Sequence, residues 1–98
     1  MAAVRRLQDE EIDARLADLP DWVRVEEKLH RELRFGDFSE AFAFMTRVAM
    51  LAEQRDHHPE WTNVYATVGI DLTTHAAGGI TELDFDLAAA IDRLLDRR

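Results

Sequence analysis

Three of the four histidines in this 98-residue sequence, His57, His58 and His75, lie close together in the second half of the chain. An unperturbed histidine has a pKa of about 6.5, which suits proton transfer at neutral pH. Glu53 precedes His57 by four residues, so the two side chains would share one face if a helix continued through this segment. The carboxylate could then orient the imidazole or favour its cation. The three histidines are therefore candidates for general acid–base catalysis.

Two other interpretations of these residues remain open at this point. Adjacent histidines rarely bind one metal ion together, and the usual i, i+4 or His-x-His spacing is absent, so we predict no metal site. The histidines could also be ordinary polar residues at the end of a helix or strand, with Asp84 serving only as a helix cap. The chain contains no cysteine, which excludes disulfides and a cysteine nucleophile.

The composition is typical of a globular protein in water. Hydrophobic residues make up 47% and charged residues 33% of the chain, and no apolar run approaches the length of a membrane span. The N-terminal residues lack the apolar segment of a secretory signal, so we expect a cytoplasmic protein with a single domain over residues 1–98. The net charge of −8 argues against direct binding to nucleic acid.

Three amphipathic helices are predicted from apolar spacing and capping signals. The first covers residues 8–19 and is stopped by Pro20. The second begins after the Asp37–Glu40 capping box and runs from about residue 38 to 55, because Pro59 disfavours helix at the preceding residue. The third follows a capping box formed by Thr81 and Asp84.

Alternating apolar residues predict strands between these helices. Residues 22–25 and 29–35 form a hairpin with its turn at 26–28, and the 3.6-residue period of the second helix begins after it. Periodicity alone favours one long strand over residues 62–74, since the even positions from Val64 to Leu72 are all apolar. The pattern indicates an antiparallel sheet with helices on one face.

A longer motif joins the candidate catalytic residues. Glu53, the triplet His57-His58-Pro59, Tyr65, His75 and Asp84 together match the signature of the pterin-4a-carbinolamine dehydratase family. The similarity extends to the segments 35–42, 44–49, 59–61 and 87–88. The sequence therefore resembles that family over essentially its whole length.

The resemblance implies an α+β fold with the order α-β-β-α-β-β-α, in which a four-stranded antiparallel sheet carries the helices on one face. The segment after Trp61 would then be a hairpin instead of one long strand. We expect its turn at Ala66-Thr67, with strands over residues 61–65 and 68–75, although neither turn residue favours positive φ.

The resemblance also implies an activity, the dehydration of 4a-hydroxytetrahydropterin to quinonoid dihydropterin in tetrahydrobiopterin recycling, without a cofactor. His57 and His75 would chiefly supply the acid and the base, and His58 would bind or position the pterin. We expect all three histidines at the mouth of the pocket, where their replacement by alanine would change stability by about 1 kcal/mol or less. The remaining expected contacts are Glu53 and Asp84 as supports, Trp61 near the pterin, and Asp56, Thr73, Thr74 and Ala76 along the pocket.

The resemblance further implies association into a homodimer or homotetramer. A second function, from another class, is a protein-binding module, because animal members of the family also act as dimerisation cofactors for a homeodomain transcription factor. Binding a partner does not require three intact histidines, so their presence favours the enzyme.

Overall fold

The computed structural model describes residues 4–96, so the ends of the predicted 1–98 domain, residues 1–3 and 97–98, lie outside the described part of the chain. The elements follow the predicted order α-β-β-α-β-β-α, which confirms the α+β fold. They are helix α1 (Asp9–Leu16), strands β1 (Val23–Val25) and β2 (Lys28–Arg34), helix α2 (Phe38–Arg55), strands β3 (Glu60–Val64) and β4 (Thr67–Leu72), and helix α3 (Glu82–Asp96).

The four strands form one antiparallel sheet in the order β1-β2-β4-β3. Strand β4 lies inside the sheet, and its fully buried residues Val68, Ile70 and Leu72 point to the face on which the helices pack. The opposite face carries polar residues such as His30 and Asp71. None of the helices within residues 4–96 has the length and apolarity needed to cross a bilayer.

Helix α2 has the predicted bounds because its start is well capped. The Asp37 carboxylate accepts a hydrogen bond from the Glu40 backbone N–H at 2.8 Å, as the capping signal indicated. The Glu40 carboxylate accepts from the N–H of Gly36 at 3.2 Å, one residue earlier than a standard capping box would have it. A polar cap followed by an apolar stripe therefore located this helix correctly.

Helix α1 is shorter than the predicted span of residues 8–19. It ends at Leu16, and the chain then makes two tighter i to i−3 bonds, from Asp18 N–H to the Arg15 carbonyl and from Leu19 N–H to the Leu16 carbonyl. Pro20 explains the early end, because a proline disfavours helical backbone at the residue before it and has no N–H to donate.

The last two strands confirm the hairpin, but the predicted positions of its turn and of the end of β4 are wrong. Val64 pairs with Thr67, so the two-residue turn is Tyr65-Ala66, one residue earlier than expected. Tyr65 has a φ of 52°, and the Asn63 side chain stabilises the turn by donating to the carbonyls of Tyr65 and Thr67 at 3.0 Å. The single strand over residues 62–74 that periodicity favoured is therefore also wrong.

Strand β4 stops at Leu72 because the chain then forms a local loop instead of continuing to residue 75. Thr74 and Gly79 exchange two backbone hydrogen bonds at 3.0 and 3.3 Å, and residues His75–Ala77 form a short 3₁₀ turn between them. His75 therefore lies in this turn and not in strand β4.

The strained turn residue Tyr65 provides a test of this hairpin. A left-handed backbone costs most residues about 1–2 kcal/mol, whereas asparagine adopts it more readily. Because Tyr65 is 66% exposed, Tyr65→Asn loses little packing, and we expect it to raise the free energy of unfolding by about 0.5–1 kcal/mol. Urea denaturation of this variant would be compared with Tyr65→Phe, which keeps the tyrosine backbone preference. Equal free energies of unfolding for the two variants would contradict the left-handed conformation of Tyr65.

Candidate active site

The end of helix α2 determines where the two adjacent histidines point. Asp56 takes the left-handed conformation with φ 49°, and its N–H donates to the Glu53 carbonyl at 3.2 Å. The His57 N–H reaches the Ala52 carbonyl at 3.1 Å, so the helix ends in a Schellman motif. The helix therefore does not continue to His57, and the i, i+4 pairing of Glu53 with His57 does not form. Glu53 instead contacts the next residue, with 2.9 Å between its Oε1 and Nε2 of His58.

His57 is paired with a buried carboxylate on helix α3. Its Nε2 lies 2.6 Å from Oδ1 of Asp84, and the side chains are 10% and 0% exposed, respectively. The expectation that all three histidines lie at a pocket mouth is therefore wrong for His57. A buried carboxylate is costly unless it is well hydrogen-bonded, so this pair fixes His57 more firmly than an exposed ion pair would.

Asp84 is held in place by the start of helix α3. Its Oδ2 accepts hydrogen bonds from the Thr81 backbone N–H and from the Thr74 hydroxyl, both at 2.9 Å. Thr81 also caps the helix, because its hydroxyl accepts from the N–H of Leu83 at 3.2 Å, one residue earlier than in a standard capping box. The cap and the partner of His57 are thus the same carboxylate, with one oxygen used for each purpose.

The other two histidines have exposed carboxylate partners. His58 is paired with Glu53, and Nε2 of His75 lies 2.9 Å from Oε2 of Glu60. The His75 side chain is 78% exposed, in contrast to that of His57. In all three rings Nε2 contacts a carboxylate, and Nδ1 has no hydrogen-bond partner within residues 4–96. A neutral ring of this kind donates through Nε2 and offers the Nδ1 lone pair to a ligand.

The three histidines line one open cavity of about 470 Å³. Its lining contains seven of the residues predicted from sequence, namely Asp56, His57, His58, Thr73, Thr74, His75 and Ala76. Glu53 and Asp84 are outside the lining and contact it through His58 and His57. A cavity with an apolar wall and a few convergent polar groups is the usual form of a small-molecule site.

Trp61 is the predicted contact that the structure does not bring to the cavity. It pairs with Ile70 in the sheet and packs partly buried against the hydrophobic core. The apolar wall comes instead from Val4, Ala77 and Leu83, which sequence reasoning missed. Leu83 could have been predicted, because it directly precedes Asp84, which was already expected at the site. Val4 could not, because it reaches the cavity only through the tertiary fold.

Each histidine of the cavity has a different carboxylate partner. Among residues 4–96, no group of three or more histidines or carboxylates is placed to hold a metal ion. A second cavity, of about 360 Å³, contains no histidine and is lined by Phe35, Glu40, Ala43, Phe44, Arg47 and Leu94. The histidine cavity is therefore the better candidate for acid–base chemistry.

Comparison with known proteins identifies the family. A sequence profile described as "Pterin 4 alpha carbinolamine dehydratase" matches residues 5–94. The chain belongs to this family. A relative from Rhodopseudomonas palustris (strain BisB18), named as a candidate pterin-4-alpha-carbinolamine dehydratase, is 54% identical over 93% of this chain and 92% of its own length. One from Prochlorococcus marinus (strain MIT 9215) with the same name is 48% identical over 93% of this chain and 95% of its own.

Solved structures of pterin-dehydratase-like proteins have the same fold. The transcriptional coactivator/pterin dehydratase from Brucella melitensis superposes with a TM-score of 0.89 at 41% identity, covering 92% of this chain and 98% of that one. A pterin dehydratase-like protein described as a RuBisCO assembly factor in the alpha-carboxysome superposes with a TM-score of 0.63 at 26% identity, covering 76% and 88% of the two chains. The resemblance inferred from the histidine signature is thereby confirmed at the level of the family.

Proposed function

We propose that this pterin dehydratase family member is a 4a-hydroxytetrahydropterin dehydratase that acts in tetrahydrobiopterin recycling. The observation that carries the proposal is the single cavity lined by His57, His58 and His75, each with Nε2 on a carboxylate. In the reaction the C4a–oxygen bond breaks as the hydroxyl takes a proton and leaves as water. A second proton leaves the pterin ring, which becomes quinonoid dihydropterin. One acid and one base therefore suffice, and the histidines can supply both.

The proposed roles follow from how each histidine is held. His57 is buried and fixed by Asp84, whereas His75 stands exposed on the loop after β4. A flat ring bound in the cavity would have access to the Nδ1 of His57 at its floor and to His75 at its rim. We therefore assign the acid and base roles chiefly to these two histidines and pterin binding to His58.

The loop after β4 would supply further contacts through its backbone. The Thr73 hydroxyl donates to the Glu27 carbonyl at 2.7 Å, and the Thr74 hydroxyl contacts Thr81 and Asp84. Because these hydroxyls already donate within the protein, we propose that Thr73, Thr74 and Ala76 contact the pterin mainly through the main chain. Asp56 would contribute in the same way from the end of α2, while Trp61 would act on the site only through packing.

A dehydration assay tests the proposed function directly. Stopped-flow absorbance would follow 4a-hydroxytetrahydropterin with and without the protein, and an unchanged rate would contradict the proposal.

The proposed binding role of His58 predicts that His58→Ala raises KM about tenfold with a smaller change in kcat. A residue that binds the substrate and the transition state equally well affects KM and not kcat. The matched control is His30→Ala. His30 is the fourth histidine, paired with Asp71 on the sheet and outside the cavity lining. A fall in kcat at unchanged KM would instead make His58 a proton-transfer residue.

A protein-binding role is the second candidate, favoured by the exposed apolar side chains on α2. Phe38 and Phe42 contact each other with ring centroids 5.7 Å apart and are about half exposed, as is Met50. Strands β1 and β3 also leave unpaired edges within the described sheet. We propose that these surfaces serve association into a homodimer or homotetramer in the cytoplasm. A further protein partner would use the same kind of surface and would be insensitive to changes at the histidines.

A further inference from the structure

Glu60, to which the proposed reaction assigns no role, links strand β2 to His75. It is the first residue of β3 and lies on the sheet face opposite the helices, where it pairs across the sheet with Asp71. One carboxylate oxygen accepts a hydrogen bond from the Lys28 ammonium group, and the other lies 2.9 Å from Nε2 of His75. Lys28 belongs to β2, so its side chain reaches past the end of β4 to make this contact.

The charges around Glu60 keep its carboxylate ionised. The hydrogen bond from Lys28, followed by that from His75, lowers the pKa of Glu60 below its usual value. The pKa of Lys28 is raised, chiefly by Glu60 and to a smaller extent by the negative charges of Asp71 and Glu26. Asp71 itself is paired with His30 at 2.8 Å, and within residues 4–96 it makes no hydrogen bond or ion pair with His75. Glu60 is therefore a dependable hydrogen-bond acceptor for the His75 ring.

His75 needs such an acceptor because its surroundings do little to fix its ring. The side chain is 78% exposed on a three-residue 3₁₀ turn, and Glu60 provides the one side-chain hydrogen bond that it makes within residues 4–96. His57, by comparison, is held by burial and by Asp84. An exposed ion pair contributes only about 0–1 kcal/mol to stability, so the Glu60–His75 contact is a weak structural element. The main effect of this contact is to fix the orientation and the tautomer of the His75 ring.

We propose that Glu60, held by Lys28, is a positioning residue for His75: it accepts the Nε2 proton and so leaves Nδ1 as the nitrogen that meets the substrate. The expected fall in kcat rests on the proposed dehydratase function, whereas the expected tautomer of His75 does not. A correctly positioned acid or base contributes about 10²–10⁴-fold to a rate, and loss of its orientation forfeits part of that. We expect Glu60→Ala to lower kcat about tenfold and to change KM by less than about twofold.

Two variants separate positioning from charge. Glu60→Gln keeps one oxygen, which pairs with the Lys28 ammonium group, so its amide N–H is turned toward Nε2 of His75; it should favour the Nδ1–H tautomer and lower kcat at least as much as Glu60→Ala does. Asp71→Ala is the matched control, because it also removes a carboxylate paired with a histidine on the same sheet face but leaves His75 untouched. If Asp71→Ala lowers kcat as much as Glu60→Ala does, charge alone is responsible and the proposal is overturned.

The tautomer of His75 can be measured without any substrate. Long-range ¹H–¹⁵N NMR spectra of the histidine rings, recorded at a pH of about 8.5 where an ordinary imidazole is neutral, distinguish protonation at Nε2 from protonation at Nδ1. We expect the Nε2–H form in the unaltered protein, the Nδ1–H form in Glu60→Gln, and a mixture in Glu60→Ala. An unchanged His75 tautomer in Glu60→Ala would refute the positioning role even if the protein is an active dehydratase. If the protein shows no dehydratase activity, the proposed function is wrong, and the NMR spectra still test whether Glu60 sets the tautomer of His75.

Discussion

Replacing His75 with alanine, or His57 with glutamine, should lower kcat for dehydration of 4a-hydroxytetrahydropterin by about 10²-fold or more. This is the lower end of what a general acid or base contributes. The reaction needs a proton delivered to the leaving hydroxyl and a proton taken from the ring, and neither alanine nor glutamine can exchange protons near neutral pH. Stopped-flow measurements on each variant would give kcat and KM separately.

Glutamine is the better replacement at position 57 because alanine would also disturb the fold. His57→Ala leaves Oδ1 of the fully buried Asp84 without its partner, which is expected to cost about 3 kcal/mol of unfolding free energy. Glutamine carries an amide that can donate to that oxygen. His75→Ala removes only an exposed side chain and should change stability by about 0.5 kcal/mol or less.

The control for these variants is again His30→Ala, which removes a histidine from the open face of the sheet. We expect it to retain the full rate of dehydration. If both His57→Gln and His75→Ala fold normally and remain fully active, the enzymatic proposal is wrong, and the protein-binding role becomes the better explanation of the fold.

The fold could be predicted wherever a local signal determines the structure. The Asp37 cap and Pro59 bracket α2, and Thr81 with Asp84 marks the start of α3, because each signal acts within one helical turn. The β3–β4 turn was misplaced by one residue because Tyr65 adopts a left-handed backbone that its residue type disfavours. Only the pairing of Val64 with Thr67 across the hairpin reveals that turn.

The sequence predicted which histidines form the site better than it predicted which carboxylate each histidine contacts. The spacing of the signature placed His57, His58 and His75 in one site, and they do line one cavity. The partner of each histidine depended on features that spacing does not encode. The left-handed Asp56 directs His58, not His57, toward Glu53, and the Glu60–His75 contact forms only because β3 lies beside β4.

Asp84 should produce the largest effect on stability of any single residue in the site. Asp84→Ala removes the acceptor for three hydrogen bonds, from His57, Thr74 and the N–H of Thr81, all of which are buried. Loss of one partner from a buried network costs about 3–5 kcal/mol, so we expect a decrease in the free energy of unfolding of about that size. Urea denaturation of the variant would measure it.

Asp86→Asn and Asp84→Asn complete this experiment. Asp86 lies two residues further along α3 and forms an exposed pair with Arg55, so its replacement should change stability by about 0.5 kcal/mol or less.

In Asp84→Asn the remaining oxygen can still accept from Thr81, but the new amide donates to Nε2 of His57 and reverses the tautomer of that ring. Nδ1 of His57, the nitrogen that we propose to meet the substrate, would then carry a proton, and we expect kcat to fall at least tenfold while most of the stability is retained. Equal stability in Asp84→Ala and Asp86→Asn would show that the buried pair does not hold His57, and full activity in Asp84→Asn would show that its tautomer does not matter.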